Sequence, residues 1–199
     1  MRLEPPSSLG EPAVQALAAV EAQMGFVPNS LRAMAHRPAI LQGFMALGAA
    51  VMGPGSVSPI LKQMIAYVAS LASGCRYCQA HTAHQAHRRG LEPDRMAALW
   101  TFEESPLFSE PERAALRLAM LAARTPNEVE DADFAAVRAH FDEAAVAEIV
   151  AVIAFFGFLN RWNDTLATPL EDAPLAFARN DLAASGWNSG KHAPPVPGT

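Results

Sequence analysis

Apolar residues recur every three or four positions through most of the chain, which is the spacing of one face of an α-helix. The clearest case follows Ser58-Pro59. Serine accepts a hydrogen bond from a free backbone N–H and proline suits the first helical turn, so this pair predicts a helix start. Gly74 predicts the end of that helix. One broad apolar stripe lies between them, made of Ile60, Leu61, Met64, Ile65, Val68, Leu71 and Ala72.

The same pattern predicts helices along the rest of the chain, because β-branched runs are few and alanine, leucine and methionine are plentiful. We therefore expect one all-α domain over residues 1–184, followed by a flexible tail over 185–199, where glycine and proline are dense. The other predicted helices cover residues 11–24, a short segment after Pro28, 38–52, the segment from the cysteines to Arg89, 93–100, the segment from Ser109 to about 124, 131–140, 144–166 and 172–184.

Composition and charge exclude several classes of function. The net charge is −5 and no basic run is present, which argues against nucleic-acid binding and against an anionic membrane partner. The most apolar segment, residues 144–159, contains Glu148 and is shorter than the ~20 residues of a membrane span, so it predicts a buried helix. The N-terminus has no apolar signal core, and we expect a cytoplasmic protein.

Both cysteines of the chain lie in one short motif, Cys75-Arg76-Tyr77-Cys78, and His81 follows three residues later. Two thiols at this spacing can close and reopen a disulfide and so exchange two electrons with a partner. A histidine nearby can carry protons at neutral pH. At a helix start, free N–H groups and the helix dipole would lower the pKa of the Cys75 thiol. The alternative is a pair of buried thiols with no chemistry.

Metal binding is a further alternative at this motif, because His84 and His87 continue the three-residue spacing that begins at Cys78. Two sulfurs and two nitrogens, from Cys75, Cys78, His81 and His84, suit zinc. All four belong to one segment of ten residues, however, and a single helix cannot easily place four ligands tetrahedrally around one ion. We therefore predict no metal and no bound cofactor, with His84 as a possible relay and His87 exposed.

The motif Cys75-x-x-Cys78-x-x-His81, preceded by Ser58-Pro59 and an apolar helix ending at Ser73-Gly74, resembles the alkylhydroperoxidase D/carboxymuconolactone decarboxylase superfamily, and is most similar to its peroxidase-related members. The specific match covers about residues 58–90. The resemblance implies an all-α fold that assembles into homo-oligomers, often trimers or hexamers. It also implies an antioxidant thiol peroxidase or disulfide reductase whose partners are a small hydroperoxide and a thiol or disulfide reductant protein.

The resemblance also implies roles for the site residues. Cys78 would attack the peroxide, Cys75 would resolve the resulting sulfenic acid into a disulfide, and His81 would handle protons. The chain departs from the family where a glutamate is typical, twelve residues before the first cysteine, because that position is Gln63. An amide orients a neighbour but cannot act as a base at neutral pH, so peroxidase turnover is expected to suffer. Some members have the histidine one residue later, where this chain has Thr82.

Two further groups of residues are candidates for the neighbourhood of the motif. Tyr67, Ser70 and Tyr77 are candidates for the pocket wall, and ordinary packing between helices is favoured over a catalytic role for all three. The polar run 160–164, which follows an apolar stretch, favours a helix cap or a subunit contact over a substrate-binding role. Two other functions remain open, a lactone decarboxylase that would not need the cysteines and a non-enzymatic oligomeric redox sensor.

Overall fold

The computed structural model describes residues 1–195, which are helical without a β-strand among them. The all-α prediction is therefore confirmed. Short 3-10 turns cover Leu99–Thr101, Ala183–Ser185 and Gly190–His192. The α-helices are α1 Glu11–Met24, α2 Asn29–Met34, α3 Pro38–Met52, α4 Pro59–Ala72, α5 Arg76–Arg88, α6 Pro93–Ala98, α7 Glu110–Ala122, α8 Asp131–Arg138, α9 Glu143–Leu166 and α10 Asp172–Asp181.

Side-chain caps begin the helices that surround the site. The Ser58 hydroxyl accepts a hydrogen bond from the N–H of Leu61 (3.2 Å) at the start of α4. Ser109 and Glu112 form a reciprocal capping box at the start of α7. The Asp142 carboxylate accepts from the N–H of Ala145 (2.8 Å) at the start of α9. These groups satisfy backbone donors that have no partner within the helix, so the chain fixes each helix start locally.

Helix α4 is the centre of the main core. Its neighbours are α5, α7 and α9, and its residues from Leu61 to Ser70 are all buried. A smaller core joins α1, α2 and the start of α3. Phe44 and Leu159 pack against both clusters and connect them. The helix that precedes the cysteines is thus held on several sides, which gives the motif a rigid support.

One ion pair inside this framework joins α4 to α9. Lys62 is only 1% exposed, and its Nζ lies 2.9 Å from the carboxylate of Glu148. The same ammonium donates to the carbonyls of Val51 (3.0 Å) and Gly53 (2.8 Å). Glu148 in turn accepts from the N–H of Ser56 (2.7 Å). Glu148 therefore lies in an apolar helix because it neutralises a buried lysine and fixes the α3–α4 connection.

Helix α9 is long and apolar enough to cross a membrane, judged by length and composition. About 44% of its most apolar window is buried within the described chain. The buried residues include Ile149, Val152 and Phe155, which belong to the main core. A core helix of this length passes the same test, so the match by itself does not indicate a membrane span.

The prediction of a flexible tail over residues 185–199 is wrong for residues 185–195, which pack against the rest of the chain. Trp187 is buried, and its indole N–H donates to the carbonyl of Arg76 (3.2 Å). Leu170 donates to the carbonyl of His192 (2.9 Å), which ties the segment to the chain after α9. Composition alone missed this packing because two side chains among many polar neighbours hold the segment. The remaining residues of the predicted tail, 196–199, lie outside the described part of the chain.

Candidate redox site

The first cysteine is held where α4 passes into α5. Gly74 has a positive φ of 71°, which turns the chain between the two helices, and Cys75 is the N-cap of α5. The carbonyl of Ser70 accepts hydrogen bonds from the N–H of Cys75 (3.2 Å) and from the side-chain amide of Gln79 (3.2 Å). Both contacts fix the start of α5 against α4, so the position of Cys75 is set by backbone and amide hydrogen bonds.

The two cysteines are free thiols in different surroundings. Cys75 is fully buried, whereas Cys78 lies in the wall of a cavity. Hydrogen bonding to Cys78 lowers the pKa of Cys75 to about 6, although burial opposes this, and His192 adds to the lowering. Burial first, and then Cys75, raise the pKa of Cys78 well above its usual value. The two shifts have opposite signs, so Cys75 is the more acidic of the two thiols.

The sequence predicted the direction of the Cys75 shift but assigned it to the helix start. The structure gives the larger part to the neighbouring thiol, because the S–H of Cys78 stabilises the charged sulfur directly.

The cavity beside Cys78 has a volume of about 500 Å³. Gln63, Tyr77, His81 and Asn163 contribute polar atoms to its wall. The amide of Asn163 lies 3.5 Å from the sulfur of Cys78 and donates to the carbonyl of Leu159. Other polar residues, among them Arg88 and Arg89, also line the cavity, and one part of its wall is apolar and aromatic. That part includes Phe44, Met52, Phe155, Phe156 and Leu159.

His81 has a carboxylate partner that the sequence did not indicate. Its Nε2 lies 2.6 Å from the carboxylate of Glu171, and both side chains are about nine-tenths buried. Glu171 also accepts from the hydroxyl of Tyr77 (2.8 Å) and the N–H of Asn29 (2.5 Å). Burial opposes the charge on Glu171, but His81 and the N–H of Asn29 lower its pKa overall. Glu171 is therefore ionised at neutral pH and orients the imidazole.

The Tyr77 ring stacks on the His81 ring, with 4.3 Å between ring centres. Gln63 is buried and lines the same cavity as His81. The glutamate that the family resemblance implies at position 63 is thus absent, but Glu171 brings a carboxylate to the histidine from ninety residues further along the chain.

Three of the residues predicted for the pocket or relay do not line this cavity. Tyr67 is fully buried in the core, and burial raises its pKa. The hydroxyl of Ser70 donates to the carbonyl of Ala66 (2.7 Å) within α4. His84 lies between Phe26 and Phe177, and burial lowers its pKa. Helical spacing placed these three near the motif but could not show which face of the helix meets the cavity.

Two residues of the polar run 160–164 lie near the cysteines, a role that the sequence did not favour, while the predicted subunit contact stays a prediction. Asn163 reaches Cys78 as described, and Asp164 lies near Cys75 together with His192. The ligand atoms of Cys75, Asp164 and His192 lie within 4.8 Å of one another. Among the described residues, this is the group of three whose spacing would fit a metal ion. The four residues considered for zinc from the sequence do not form such a group.

Comparison with known proteins places these observations in a family context. Residues 38–120 match the model of the carboxymuconolactone decarboxylase family. An uncharacterized protein of Escherichia coli K12, YnjA, is 30% identical over 115 residues, which are 58% of this chain and 63% of YnjA. The chain thus spans less than two thirds of the length of that relative.

Solved structures match over more of the chain. A Cys-to-Ala variant of the debrominase Bmp8 in complex with 2,3,4-tribromopyrrole is 30% identical, with a TM-score of 0.82, over 90% of this chain and 97% of that one. An alkylhydroperoxidase AhpD core, an uncharacterized peroxidase-related protein from Ralstonia eutropha JMP134, is 28% identical, with a TM-score of 0.78, over 87% of this chain and 93% of that one.

Proposed function

The chain belongs to the alkylhydroperoxidase D/carboxymuconolactone decarboxylase superfamily, and on that premise we propose that it reduces small hydroperoxides through the dithiol of Cys75 and Cys78. The observation that carries the proposal is that the two sulfurs occupy different positions relative to the cavity. Cys78 faces a cavity large enough for a small organic molecule, and Cys75 lies directly behind it. An attacking thiol needs access to its substrate, and a resolving thiol needs only to reach the first sulfur.

The chemistry follows from this arrangement. Cys78, as thiolate, attacks the O–O bond of the hydroperoxide and becomes a sulfenic acid while an alcohol leaves. Cys75 then attacks the Cys78 sulfur, so that an S–S bond forms and water is released. A separate dithiol reductant restores both thiols. His81, oriented by Glu171, faces the same cavity and supplies a proton to the leaving oxygen.

The apolar wall of the cavity limits the substrate class. Phe155, Phe156 and Leu159 favour an alkyl or aryl hydroperoxide over hydrogen peroxide, because an apolar substituent gains by leaving water. No bound cofactor takes part in this scheme, since the sulfur atoms carry both electrons.

Reductive removal of a halogen from an aromatic ring is the second candidate function. The similarity to a debrominase over nearly the whole chain favours it, as does the aromatic cavity wall. The electron balance is the same. Cys78 takes the bromine from the ring carbon, the carbon takes a proton, and Cys75 displaces bromide as the disulfide forms. Such a reaction does not need a glutamate at position 63.

Hydroperoxide consumption with a dithiol reductant tests the proposal. The Cys78→Ser variant should fall to the uncatalysed rate, while Cys75→Ser should form at most one equivalent of trappable sulfenic acid, without turnover. The second variant is the matched control, because it removes the same atom from the neighbouring position. Full activity in Cys78→Ser would reject the assignment.

The same variants separate the other candidate functions. Release of bromide from a brominated pyrrole, with negligible peroxide consumption, would favour the halogenated substrate. Turnover of a lactone that persists after thiol blocking would favour a decarboxylase. Slow peroxide reaction with a disulfide-dependent change in assembly would favour a redox sensor.

A further inference from the structure

The C-terminal segment brings a histidine to the side of Cys75 that faces away from the cavity. His192 lies in the last 3-10 turn, and Asp164 lies near the end of α9. A ring nitrogen of His192, the sulfur of Cys75 and a carboxylate oxygen of Asp164 are within 4.8 Å of one another. The Nε2 atom of His192 is 3.5 Å from Asp164. These three residues form a cysteine–histidine–aspartate cluster outside the substrate cavity.

The orientation of the His192 ring is fixed from its other side. Its Nδ1 lies 2.8 Å from the carbonyl of Thr168, and it donates its proton there because a carbonyl can only accept. The side chain is 1% exposed, and Nε2 has no hydrogen bond of normal geometry within the described residues. A buried nitrogen with a fixed ring therefore points into the space between Cys75 and Asp164.

Charges around the ring favour a proton on it. Burial opposes the charged ring, but the Cys75 sulfur, the Thr168 carbonyl and the Asp164 carboxylate together raise the pKa of His192. Lys191 offsets part of the carboxylate charge, since its Nζ lies 2.7 Å from Asp164. The titratable groups that face this ring are Cys75 and Tyr77 of α5 and Asp164 of α9. Lys191 pairs with Asp164, Glu171 accepts from Tyr77, and Arg76 donates to the carbonyl of Asn188 in the same C-terminal segment.

We propose that His192, oriented by Thr168 and Asp164, holds Cys75 as a thiolate and so makes Cys75 the internal base that accepts the proton of Cys78. This inference rests on the proposed function of the dithiol, and it adds the residue that stabilises the Cys75 thiolate before the substrate reacts. The Cys78 thiol has the largest influence on the pKa of Cys75, so the two sulfurs are close enough for the proton to pass between them. Gln63 cannot act as a proton acceptor in the cavity. The cluster therefore provides a proton acceptor on the opposite side of the dithiol.

The steps balance in atoms and electrons. The Cys78 proton moves to Cys75, and the Cys78 thiolate breaks the O–O bond, which leaves a sulfenic acid and an alkoxide. The alkoxide takes a proton from His81, which regains one from water. Cys75 then attacks the Cys78 sulfur, and its proton leaves with the hydroxide as water. Two electrons pass from the sulfurs to the peroxide. When a dithiol reductant opens the disulfide at Cys78, Cys75 leaves as a thiolate, which protonated His192 stabilises.

The test measures the thiolate of Cys75 directly. In a Cys78→Ser background, Cys75 is the remaining cysteine, and its thiolate absorbs in the ultraviolet as pH rises. Adding His192→Asn should move the midpoint upward by at least about one pH unit, towards the ordinary thiol value of ~8.5. The matched control is His87→Asn, which changes an exposed histidine of α5 and should leave the midpoint unchanged. An unchanged midpoint in the His192 variant would overturn the inference.

A second measurement keeps the inference testable if the His192 variant does not fold. Histidine resonances can be followed by NMR against pH in the wild-type protein and in Cys75→Ser. The His192 midpoint should fall when the thiolate is removed, and an unchanged midpoint would contradict the ion pair. Stoichiometric zinc held by Cys75 and His192 in the purified protein would also overturn it, because a metal would replace the proton. None of these readouts uses a peroxide, so failure of the inference is distinct from failure of the proposed reaction.

Discussion

At the scale of single residues, one sulfur of the pair is the more acidic and the other is the one that a substrate can reach. Cys75 has the lowered pKa but is sealed from solvent, while Cys78 has the raised pKa and lines the cavity. The more acidic thiol is therefore not the one that a substrate reaches. This division supports the proposed roles better than acidity alone, because the shared proton can move between the sulfurs when the substrate arrives.

Glu171 gives the first prediction at this scale. The Glu171→Gln variant should lower the rate of peroxide consumption by about tenfold to a hundredfold, since the carboxylate that orients His81 would be lost. Stopped-flow measurement of Cys78 oxidation gives that rate. The matched control is Glu112→Gln, which changes a carboxylate paired with Arg95 outside the cavity and should leave the rate unchanged.

Gln63→Glu provides the complementary change. Because His81 already has a carboxylate partner, this variant should gain at most about threefold in rate. A much larger gain, together with little effect of Glu171→Gln, would show that the carboxylate at position 171 does not serve the reaction.

Sequence spacing predicted the nearby residues that the structure brings together around the cavity, but it gave no sign of the distant ones. Cys75, Cys78, His81 and Gln63 lie within twenty residues on two consecutive helices, so helical geometry relates them. Glu171 and His192 are far from the motif in sequence, and the packing of α9, α10 and the C-terminal segment brings them next to it. No pattern within the motif predicts that they lie there, because their position depends on contacts between elements far apart in sequence.

At the scale of elements, caps made the helices predictable. Ser58-Pro59 and the Ser109…Glu112 box begin α4 and α7 as predicted, because a cap depends on residues within one helical turn. The C-terminal end of α10 was placed three residues too late, at Ala184 rather than Asp181, since helix ends there lack a strong local signal. The C-terminal segment was missed because Trp187 and His192 are two buried side chains in a polar, glycine-containing stretch.

The Lys62–Glu148 pair gives a prediction for the connection between elements. Glu148→Gln should reduce the free energy of unfolding by about 3 kcal/mol, because it leaves a buried ammonium without its counter-charge. Chemical denaturation followed by circular dichroism measures the loss. Glu143→Gln is the control on the same helix. It breaks an exposed pair with Arg138 and should cost less than about 1 kcal/mol.

The same pair sets the response to acid. The N–H of Ser56, and then Lys62, lower the pKa of Glu148. The stabilisation from this carboxylate is therefore complete above its unfolded pKa of ~4.3 and is lost as pH falls through the lower folded value. A stability curve for Glu148→Gln that still falls as steeply as that of the wild type below this range would assign the acid sensitivity to other groups.

At the scale of the whole molecule, one apolar surface lies exposed along α9. A groove of about 780 Å³ lies between α7, α8 and α9, and its wall includes Val150 and Phe158, which are 40% and 43% exposed. Contiguous exposed apolar surface of this kind is typical of an interface. We propose that a second copy of the chain covers it, in keeping with the homo-oligomers that the family resemblance implies.

Light scattering after size exclusion tests this proposal. The wild-type chain should give the mass of an oligomer, and Val150→Glu should give the mass of one chain or of a smaller assembly, because a buried charge opposes association. Glu143→Gln, further from the groove on α9, should keep the wild-type mass. A wild-type monomer at micromolar concentration would reject the proposal.

The burial of Cys75 beneath the C-terminal segment has a kinetic consequence. Cys75 is fully buried beside His192, whereas Cys78 lines the cavity, so substrates reach the dithiol from the Cys78 side. Oxidant and reductant would then use a common entrance in alternation and could never be bound together. Double-reciprocal plots at several reductant concentrations would be parallel, and excess oxidant would delay its own turnover by occupying the passage that the reductant requires.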